Sequence, residues 1–391
     1  MRFPLPRRDP FAPPPEYERL RAEEPVSKVT MLGGNQAWLV TRHQDVLQAL
    51  SDPTLSVNRR QPGFPRFAPI TEVQRKESFR DFRPPLNWMD PPEHARARRS
   101  VAADFTAAQA RCLRARAEQI ADESVDRMLA ADGPVDLVQA LSLPVPSRII
   151  CEILGVPYAG HEYFEMCTTR MLGRATPAAE RTRAAHGIRA HLDAVVAAHE
   201  REPGEGLLGR LAASDGADHE EIVSMAFVLL VAGHVTTSNM ISLGVLGLLT
   251  HPDQADAVLD RPAGAVDELL RYFTIVEAAT SRTAIADTQV GGVPIRAGEG
   301  VVALGQTANR DPEVFRHPAV LNLSRDAGRH VSFGHGRHIC LGRHLARMEL
   351  EVVFGALLRR SPRLRLAIPA DQVPVKWDAN VYGLHQLPVT C

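Results

Sequence analysis

Apolar residues recur every three to four positions along most of the 391-residue chain, with polar residues between them. This spacing is typical of helices that bury one face. It predicts helices at Pro14–Glu24, Arg42–Ser51, Thr106–Ala131, Leu141–Leu154, Tyr158–Leu172, Ala178–Glu202, His219–Thr250, Pro262–Phe273 and Leu341–Arg360. Short apolar segments beside glycine pairs predict strands at Val26–Met31, Ala37–Val40, Thr288–Val290, Val293–Ile295 and Val301–Leu304, and a last hairpin over Trp377–Leu387. The pattern therefore indicates a mainly α protein with small β-sheets, an α+β fold.

The longest predicted helix, His219–Thr250, is apolar nearly all round, since residues 226–249 include no Asp, Glu, Lys or Arg. Its length would satisfy a membrane span. However, polar residues between Gly233 and Asn239 interrupt its middle, and the chain offers no second span. We therefore expect the central helix of a soluble protein, because such a helix is also apolar on every side.

The composition is that of an ordinary globular protein, 45% hydrophobic and 23% charged, with a formal net charge of -1. Such a balance gives no overall field that would attract nucleic acid or an anionic membrane. The five cysteines show no paired spacing, which argues against a disulfide framework and a zinc ribbon. The N-terminal segment is proline-rich and lacks an apolar stretch. We therefore expect neither a signal peptide nor a membrane anchor, and a cytoplasmic location.

The most distinctive stretch is Phe333-Gly334-His335-Gly336-Arg337-His338-Ile339-Cys340-Leu341-Gly342, which places one cysteine between a glycine-rich turn and a predicted helix. The N–H groups and the dipole of a helix start favour an anion, and so favour the thiolate form of Cys340. Glycines in the turn allow backbone angles that a side chain forbids, and they let the loop approach a flat partner closely. These residues suit a thiolate that binds a metal through one bond. A buried free cysteine is the alternative.

The ten residues resemble the haem-binding signature of the cytochrome P-450 haem-thiolate monooxygenases, Phe-Gly-x-Gly-x-His-x-Cys-x-Gly, at every fixed position. The resemblance implies that Cys340 is the axial ligand of a haem b iron. It also implies the cytochrome P-450 fold, a triangular prism of about a dozen helices around the buried haem, formed as a single haem domain by residues 1–391. The other residues implied for cofactor binding are Phe333, Gly334, His338 and Gly342, with His94, Arg98 and Arg282 at the haem propionates.

Two further motifs occur in the order that the family has them. His94 and Arg98, four residues apart, fall on one face of a helix, where Arg98 could bond a carboxylate through two N–H groups. A solvated basic face is the alternative. Glu268 and Arg271 match the family's Glu-x-x-Arg, and their spacing predicts a buried pair. The family often adds an arginine to this pair, but Val320 stands at the expected position.

The middle of the long helix, Ala232-Gly233-His234-Val235-Thr236-Thr237, resembles the family's oxygen-binding groove, except that Val235 replaces the usual acid. The resemblance implies a catalytic groove made of Ala232, Gly233, Thr236 and Thr237. Thr236 could donate to dioxygen and accept from water. A hydroxyl bonded back to its own helix is the alternative. For His234 we expect a satisfied core histidine.

A substrate pocket is also implied, lined from several separate stretches. The candidate lining residues are Phe64 and Phe67 in the irregular stretch Asn58–Leu86, Val235, Val276 and Ala279 in the middle of the chain, and Val381 and Tyr382 in the last hairpin. A mobile surface loop is the alternative for the stretch Asn58–Leu86.

The electron source is expected to be separate, because the chain ends soon after the cysteine helix and leaves no room for a fused reductase. The resemblance then implies a ferredoxin and a ferredoxin reductase as partners. Arg337, Arg343 and Arg347 could form a basic docking patch for an acidic ferredoxin. A solvated charged face is the alternative. We expect a monomer that acts on a small organic substrate, either free or bound to a carrier protein.

Three functions are compatible with these residues. The main hypothesis is a monooxygenase that hydroxylates or otherwise oxidises its substrate in bacterial secondary metabolism. Val235 motivates a second hypothesis, oxidative coupling or ring formation, in which the substrate supplies hydrogen atoms and can supply protons. A haem-thiolate binding or sensing protein without turnover is the third. The sequence identifies neither the substrate nor a proton route that replaces the missing acid.

Overall fold

The computed structural model describes residues 1–68, 83–216, 218–277 and 280–391. Helices dominate these residues, as the periodicity predicts. They are α1 (Glu16–Glu23), α2 (His43–Ser51), α3 (Glu93–Val101), α4 (Ala107–Leu129), α5 (Pro144–Leu154), α6 (His161–Leu172), α7 (Ala178–Arg201), α8 (Gly206–Ala212), α9 (His219–Thr250), α10 (Ala255–Asp260), α11 (Pro262–Phe273), α12 (Gly305–Ala308) and α13 (Arg343–Arg360).

The strands are short and form three sheets in the described residues. They are β1 (Arg2–Phe3), β2 (Val26–Met31), β3 (Gln36–Val40), β4 (Leu55–Ser56), β5 (Val135–Asp136), β6 (Ser281–Ala284), β7 (Thr288–Val290), β8 (Val293–Ile295), β9 (Gly300–Ala303), β10 (Arg365–Leu366) and β11 (Pro388–Thr390). The largest sheet has the order β1-β2-β3-β9-β6-β4, and the others are β10-β11-β5 and β7-β8. The mainly α fold with small sheets is thus confirmed.

The chain forms two compact units. The first consists of residues 1–68, 87–94, 267–277 and 280–340, and it holds the six-stranded sheet and the β7–β8 hairpin. The second consists of residues 83–86, 95–216, 218–266 and 341–391, and it holds most of the helices. The expectation of one haem domain over residues 1–391 stays a prediction.

In the first unit, both faces of the six-stranded sheet are buried, and strand residues alternate between them. Val29 and Met31 of β2 pack with Tyr17 of α1 on one face. Val26 of β2 and Val40 of β3 pack on the other face, against α2. The pairing of β6 with β9 in this sheet fixes Arg282, which stands opposite Val301.

In the second unit, α9 is the central helix and packs against α5, α7 and α13. Its first turn is capped by Asp218, whose carboxylate accepts from the Glu221 N–H at 2.9 Å. The helix is long and apolar enough to cross a membrane, but 67% of its most apolar window is buried inside the structure. That burial agrees with the prediction of a core helix, which was based on the polar residues between Gly233 and Asn239.

Two local predictions differ from the structure. The cysteine helix α13 begins at Arg343 rather than Leu341, because Gly342 lies in a turn at its N-terminus. The last hairpin is shorter than predicted: it pairs through the antiparallel bridge between Val375 and Leu384, and the regular strand β11 comes after it.

Candidate active site

The loop around Cys340 is shaped by backbone hydrogen bonds and two glycines of the first unit. Cys340 N–H donates to the Phe333 carbonyl at 2.8 Å, which closes the loop into a ring. Gly334 and Gly336 have φ angles of 72° and 69°, in the left-handed region that side chains disfavour. A Cβ on Gly336 would also stand 2.9 Å from the Leu50 carbonyl oxygen. This backbone leaves the Cys340 thiol exposed.

The next glycine, Gly342, has a different environment. Its φ of -83° is open to any residue, so its backbone angle does not require glycine. A Cβ at Gly342 would meet no described atom within 4 Å. Neither the backbone angle nor a contact with a described residue therefore requires glycine at position 342. Open space of this kind suits a flat group that approaches the backbone closely.

The base of the cysteine loop is held by Asn309, which is fully buried. Its side-chain carbonyl accepts from the Val331 N–H at 2.7 Å, and its amide donates to the Ser332 hydroxyl at 2.9 Å. The backbone carbonyl of Asn309 accepts in turn from the Arg271 guanidinium at 2.9 Å. Arg271 is thereby connected to the loop through one residue.

Glu268 and Arg271 form the buried pair that their spacing predicts. Both side chains have no exposed surface, and the guanidinium donates to both carboxylate oxygens, at 2.6 and 2.7 Å. Arg325 completes the group by donating to Glu268 at 3.1 Å. Sequence reasoning missed Arg325, since it expected a third arginine at the position of Val320. Val320 contributes its backbone carbonyl, which accepts from both arginines.

Two histidines and an arginine of the first unit gather at the same loop. The rings of His94 and His338 are 4.1 Å apart between centroids. Arg282 is buried, and its guanidinium donates to the Ser281 carbonyl at 2.9 Å. Burial lowers the pKa of Arg282 to about 10, with Asp90 acting to raise it and Arg337 to lower it. Arg282 thus stays cationic at neutral pH and lies close to the loop residue Arg337.

These donors fit a haem. The thiol of Cys340 is a soft ligand suited to iron. Basic side chains around it suit the two carboxylates of the macrocycle, because a cation or N–H donor stabilises each carboxylate. Arg98 follows His94 by one turn of α3, as the four-residue spacing predicts. Within the first unit, Cys340 therefore offers a metal ligand, and His94, His338 and Arg282 offer donors for a carboxylate, which are the two chemistries that a haem requires.

The middle of α9, in the second unit, is the accessible part of an otherwise buried helix. Ala232 is exposed, while Gly233, Val235 and Thr236 are partly exposed; Thr237 is buried. The Thr236 hydroxyl donates to the Ala232 carbonyl at 2.7 Å, so its two lone pairs stay available as acceptors. In this state Thr236 does not donate outward. It must rotate about its side-chain bond to do so.

Gly233 is required by packing rather than by its backbone angle. A Cβ there would stand 2.6 Å from Cγ1 of Ile150 on α5. The glycine thus lets α5 and α9 approach closely.

His234 is a core histidine, as expected. It is 1% exposed, and its Nδ1 faces the Leu230 carbonyl at 2.6 Å, so that nitrogen carries the proton. The ring packs edge-on against Phe164 of α6. Burial lowers the pKa of His234 to about 4, so the imidazole is neutral at pH 7. His234 therefore does not replace the acidic side chain that the family usually has at the position of Val235.

Glu349 of α13 is a buried acid that sequence reasoning missed. It is 2% exposed and interacts with the Thr237 hydroxyl. Burial raises the pKa of its carboxyl well above the usual 4.5, and the Thr237 hydroxyl offsets this only in part. The signal in the sequence is an acid between Met348 and Leu350, on the apolar face of a helix.

The C-terminal segment of the second unit contacts α9 through Asn239. Lys376 donates to the Asn239 side-chain carbonyl at 3.0 Å, and the amide of Asn239 donates to the Val235 carbonyl at 2.9 Å. Burial lowers the pKa of Lys376 to about 8. In the same segment Tyr382 is buried and Val381 is half-buried. Their predicted role in the substrate pocket stays a prediction.

Three other predicted pocket residues, Phe64, Phe67 and Val276, are in the first unit. Phe64 is buried, with the Arg59 guanidinium 5.9 Å from its ring centroid. Phe67 packs its ring edge-on against Phe3 in the sheet core. Val276 is half-buried. Ala279 lies outside the described residues, as do residues 69–82 of the stretch predicted to be irregular. These pocket roles also stay predictions.

Comparisons with known proteins agree with the class of haem-thiolate proteins that the fold and the cysteine loop indicate. The family model for cytochrome P450 matches residues 263–386. A vitamin D3 dihydroxylase of Streptomyces griseolus is 42% identical over 99% of this chain and 96% of its own length. The solved structure of cytochrome P450 MoxA from Nonomuraea recticatena is 48% identical, with a TM-score of 0.91 over 100% of this chain and 98% of its own. The structure of the methyl hydroxylase MycCI from Micromonospora griseorubida, bound to mycinamicin VIII, is 36% identical with a TM-score of 0.93, over 100% of both chains.

The chain belongs to the cytochrome P450 family. It is a monooxygenase of the bacterial type, an oxidoreductase whose cofactor is a haem-thiolate iron. The alternative of a binding protein without turnover is therefore not retained.

Proposed function

We propose that this enzyme uses dioxygen and electrons from a ferredoxin to hydroxylate a bulky, largely apolar natural product in bacterial secondary metabolism. The observation that carries the proposal is the exposed Cys340 thiol, in a loop that is closed onto Phe333 and surrounded by basic side chains. The balanced reaction joins one substrate C–H bond, one O₂, two electrons and two protons. It yields one C–OH bond and one water.

The cofactor is proposed to be haem b with Cys340 as axial ligand. When bound, the haem supplies the iron at which dioxygen is reduced, and a thiolate ligand favours O–O cleavage. His94, Arg98, Arg282 and His338 hold its carboxylates. The left-handed backbone at Gly334 and Gly336 holds the Cys340 thiolate in position.

The two threonines of α9 are proposed to handle protons. Thr236 now donates to the Ala232 carbonyl and accepts through its lone pairs. Rotation of its hydroxyl would direct that proton outward instead. Thr237 interacts with Glu349, and burial raises the pKa of that carboxyl well above the usual 4.5. Ala232 and Gly233 keep this part of the helix free of bulky side chains, which leaves room for a small molecule beside the hydroxyls.

The substrate class is inferred from relatives. One is named for vitamin D3, and another has been solved with mycinamicin VIII bound. The pocket candidates of this chain (Phe64, Phe67, Val235, Val276, Ala279, Val381 and Tyr382) are all apolar or aromatic, which suits a largely apolar substrate. A substrate presented by a carrier protein fits the same residues.

The electron partners are proposed to be a separate ferredoxin and its reductase. Arg337, Arg343 and Arg347, which are close together in the sequence, are proposed as docking residues, because arginines attract an acidic protein. The enzyme is proposed to be a cytoplasmic monomer.

The experiment that tests this function starts with a library of steroids and macrolides, screened by the shift of the haem Soret band. Compounds that shift the band are then turned over with ferredoxin, ferredoxin reductase and ¹⁸O₂. Hydroxylation puts one ¹⁸O atom into the product. The proposal fails if no compound both shifts the band and yields a product that carries ¹⁸O.

Oxidative coupling or ring formation is a second candidate, favoured by Val235, which removes the usual source of protons. The ¹⁸O₂ experiment separates the two functions, since coupling joins two substrate atoms and leaves no ¹⁸O in the product. A Val235→Glu variant adds a further distinction. We expect it to increase product formed per electron pair for a hydroxylase and to leave that ratio unchanged for a coupling enzyme that takes protons from its substrate.

A further inference from the structure

The segment that leads into the cysteine loop is held by hydrogen bonds to side chains rather than by a helix or a sheet. Val331 N–H donates to the Asn309 side-chain carbonyl at 2.7 Å, and the Ser332 hydroxyl donates to the Leu270 carbonyl at 2.7 Å. The backbone N–H of Ser332 donates to Nδ1 of His330 at 3.1 Å. One imidazole thus fixes the path of the chain just before the loop.

The other nitrogen of the same ring faces an acid. Nε2 of His330 lies 3.3 Å from Oδ1 of Asp267, on α11. The His330 side chain is 1% exposed and that of Asp267 is 20% exposed. Because Nδ1 accepts from Ser332, the proton of the neutral imidazole is on Nε2, which donates to Asp267. A carboxylate can only accept, so Asp267 holds the ring in the tautomer that Ser332 requires.

The ring of His330 also contacts the loop itself. Its centroid lies 5.7 Å from that of Phe333, with 50° between the ring planes. Phe333 is the residue whose carbonyl accepts from the Cys340 N–H at 2.8 Å. His330 is therefore connected to the thiol by two short paths, one through the Ser332 backbone and one through Phe333.

We propose that His330 and Asp267 form a dyad that positions the Cys340 thiolate, and that this dyad determines how tightly the haem is held and at what potential its iron is reduced. The proposal rests on the haem ligation by Cys340 proposed above. His330 is a positioning residue, because it acts through Ser332 and Phe333. An outer group that fixes a metal ligand strengthens binding of the metal. A displaced thiolate donates less electron density to the iron, so the reduction potential rises.

Two substitutions of His330 separate hydrogen bonding from packing. His330→Leu fills much of the space but bonds neither neighbour. His330→Asn is smaller, but its side-chain carbonyl can accept from the N–H two residues further on, as asparagine does in turns. We expect haem transfer from His330→Leu to apomyoglobin to be on the order of 10-fold faster than from the wild type. The reduction potential should rise in the same variant, and His330→Asn should recover most of both properties.

The opposite order would overturn the proposal. If the ring only fills space, His330→Leu would be the milder variant and His330→Asn the more severe one. Should His330→Leu fail to fold, His330→Asn is compared with His330→Ser, whose hydroxyl offers a shorter reach to the same N–H. A similar haem transfer rate and potential in these two variants would also overturn it.

The part of Asp267 in the dyad is tested by Asp267→Asn. An amide can donate as well as accept, so it allows the tautomer with the proton on Nδ1, which cannot accept from Ser332. We expect faster haem transfer and a higher potential, with a smaller change than in His330→Leu. Asp267→Glu keeps an acceptor and should stay closer to the wild type. Wild-type values in Asp267→Asn would overturn the dyad.

His199 of the second unit supplies the matched control. Its Nδ1 accepts from the Gly204 N–H at 3.2 Å, and its Nε2 lies 2.9 Å from the Gly155 carbonyl oxygen, so it makes the same two kinds of contact without a cysteine loop beside it. His199→Leu should lower the free energy of unfolding but leave haem transfer and potential unchanged. Equal shifts in His199→Leu and His330→Leu would mean a general loosening of the protein and would contradict the dyad.

The ferrous–CO spectrum of the wild type separates this inference from the cofactor assignment. A thiolate-type band in the wild type, with unchanged haem transfer and potential in His330→Leu, overturns the dyad alone. A wild type that binds haem without that band contradicts ligation by Cys340 instead, and with it the proposed function.

Discussion

The cysteine loop and the middle of α9 hold their reactive side chains in different ways. In the loop, backbone hydrogen bonds and backbone angles set the position of the thiol. Cys340 donates to Phe333 through its N–H, and Gly334 and Gly336 set the left-handed turns. In α9, the side chains carry the hydrogen bonds. Thr236 donates to its own helix, and Thr237 interacts with Glu349 of another helix.

This difference matches two different tasks. A metal ligand needs one fixed position, and backbone hydrogen bonds with glycine turns supply it. A proton relay needs donors that can exchange partners, and rotating hydroxyls supply them. The loop is further fixed through Asn309 to the buried Arg271. No equivalent group of buried ion pairs holds Thr236 within the described residues.

The largest effect is expected in the loop. Cys340→Ala should abolish monooxygenase activity to background, because no other loop residue supplies a thiolate. Its ferrous–CO spectrum should lose the thiolate-type band while the far-UV circular dichroism stays unchanged. The matched control is Cys112→Ala, which removes an exposed cysteine of α4 and should retain both band and activity. A thiolate-type band in Cys340→Ala would contradict the assigned ligand.

The next effect concerns the buried pair beneath the loop. Arg271→Met should lower the free energy of unfolding by about 3–5 kcal/mol, because it leaves the Glu268 carboxylate buried without its closest cation. It also removes the bond to the Asn309 carbonyl, so haem retention should fall with stability. Unfolding in guanidinium, followed by circular dichroism, gives the comparison.

Arg325→Met is the matched control for Arg271→Met. Arg325 bonds the same carboxylate but is 11% exposed, so we expect a smaller loss of unfolding free energy. Equal losses in the two variants would show that the complete burial of Arg271 does not make it contribute more to the free energy of unfolding than Arg325 does.

Much of the fold was predictable because its signals are local. Helices α9 and α11 match their predicted bounds, since long apolar runs and a cap or a proline mark their ends. Strands β5, β10 and β11 were missed, because two or three residues show no pattern and are held by distant pairings such as Val135 with Val389. Arg325 and Glu349 were missed for the same reason. Each owes its role to burial against a distant segment, which a single sequence does not reveal.

A third prediction tests whether α9 is as constrained by packing as the loop is by its backbone. Gly233→Ala should lower the free energy of unfolding by roughly 1–3 kcal/mol, because its methyl group would meet the side chain of Ile150. Thermal unfolding followed by circular dichroism measures the loss. Ile150→Ala is destabilising alone but should reduce the penalty of Gly233→Ala when the two are combined. Additive losses would contradict the contact.

The smallest effect is at the start of α9, far along the helix from the threonines. His219 faces Asp193 through Nε2 and Glu200 through Nδ1, both at 3.0 Å and both on α7. Only the charged imidazolium donates from both nitrogens. The hydrogen bond to Asp193, and then Glu200, raise the pKa of His219 above its ordinary 6.5, partly offset by burial.

His219→Gln therefore tests how firmly α7 is attached to α9, and its effect depends on pH. The stability that His219 contributes is fully present below pH 6.5 and is lost as the pH rises through the raised pKa of the folded state. Because the group is partly exposed, we expect a loss of less than about 1 kcal/mol at pH 6, shrinking toward zero at higher pH. Urea unfolding across this range measures it, with His186→Gln, at an exposed histidine of α7, as control. A loss that does not change with pH would mean that the imidazole is held by packing, so that α9 is fixed at this end by the same kind of contact that holds Gly233.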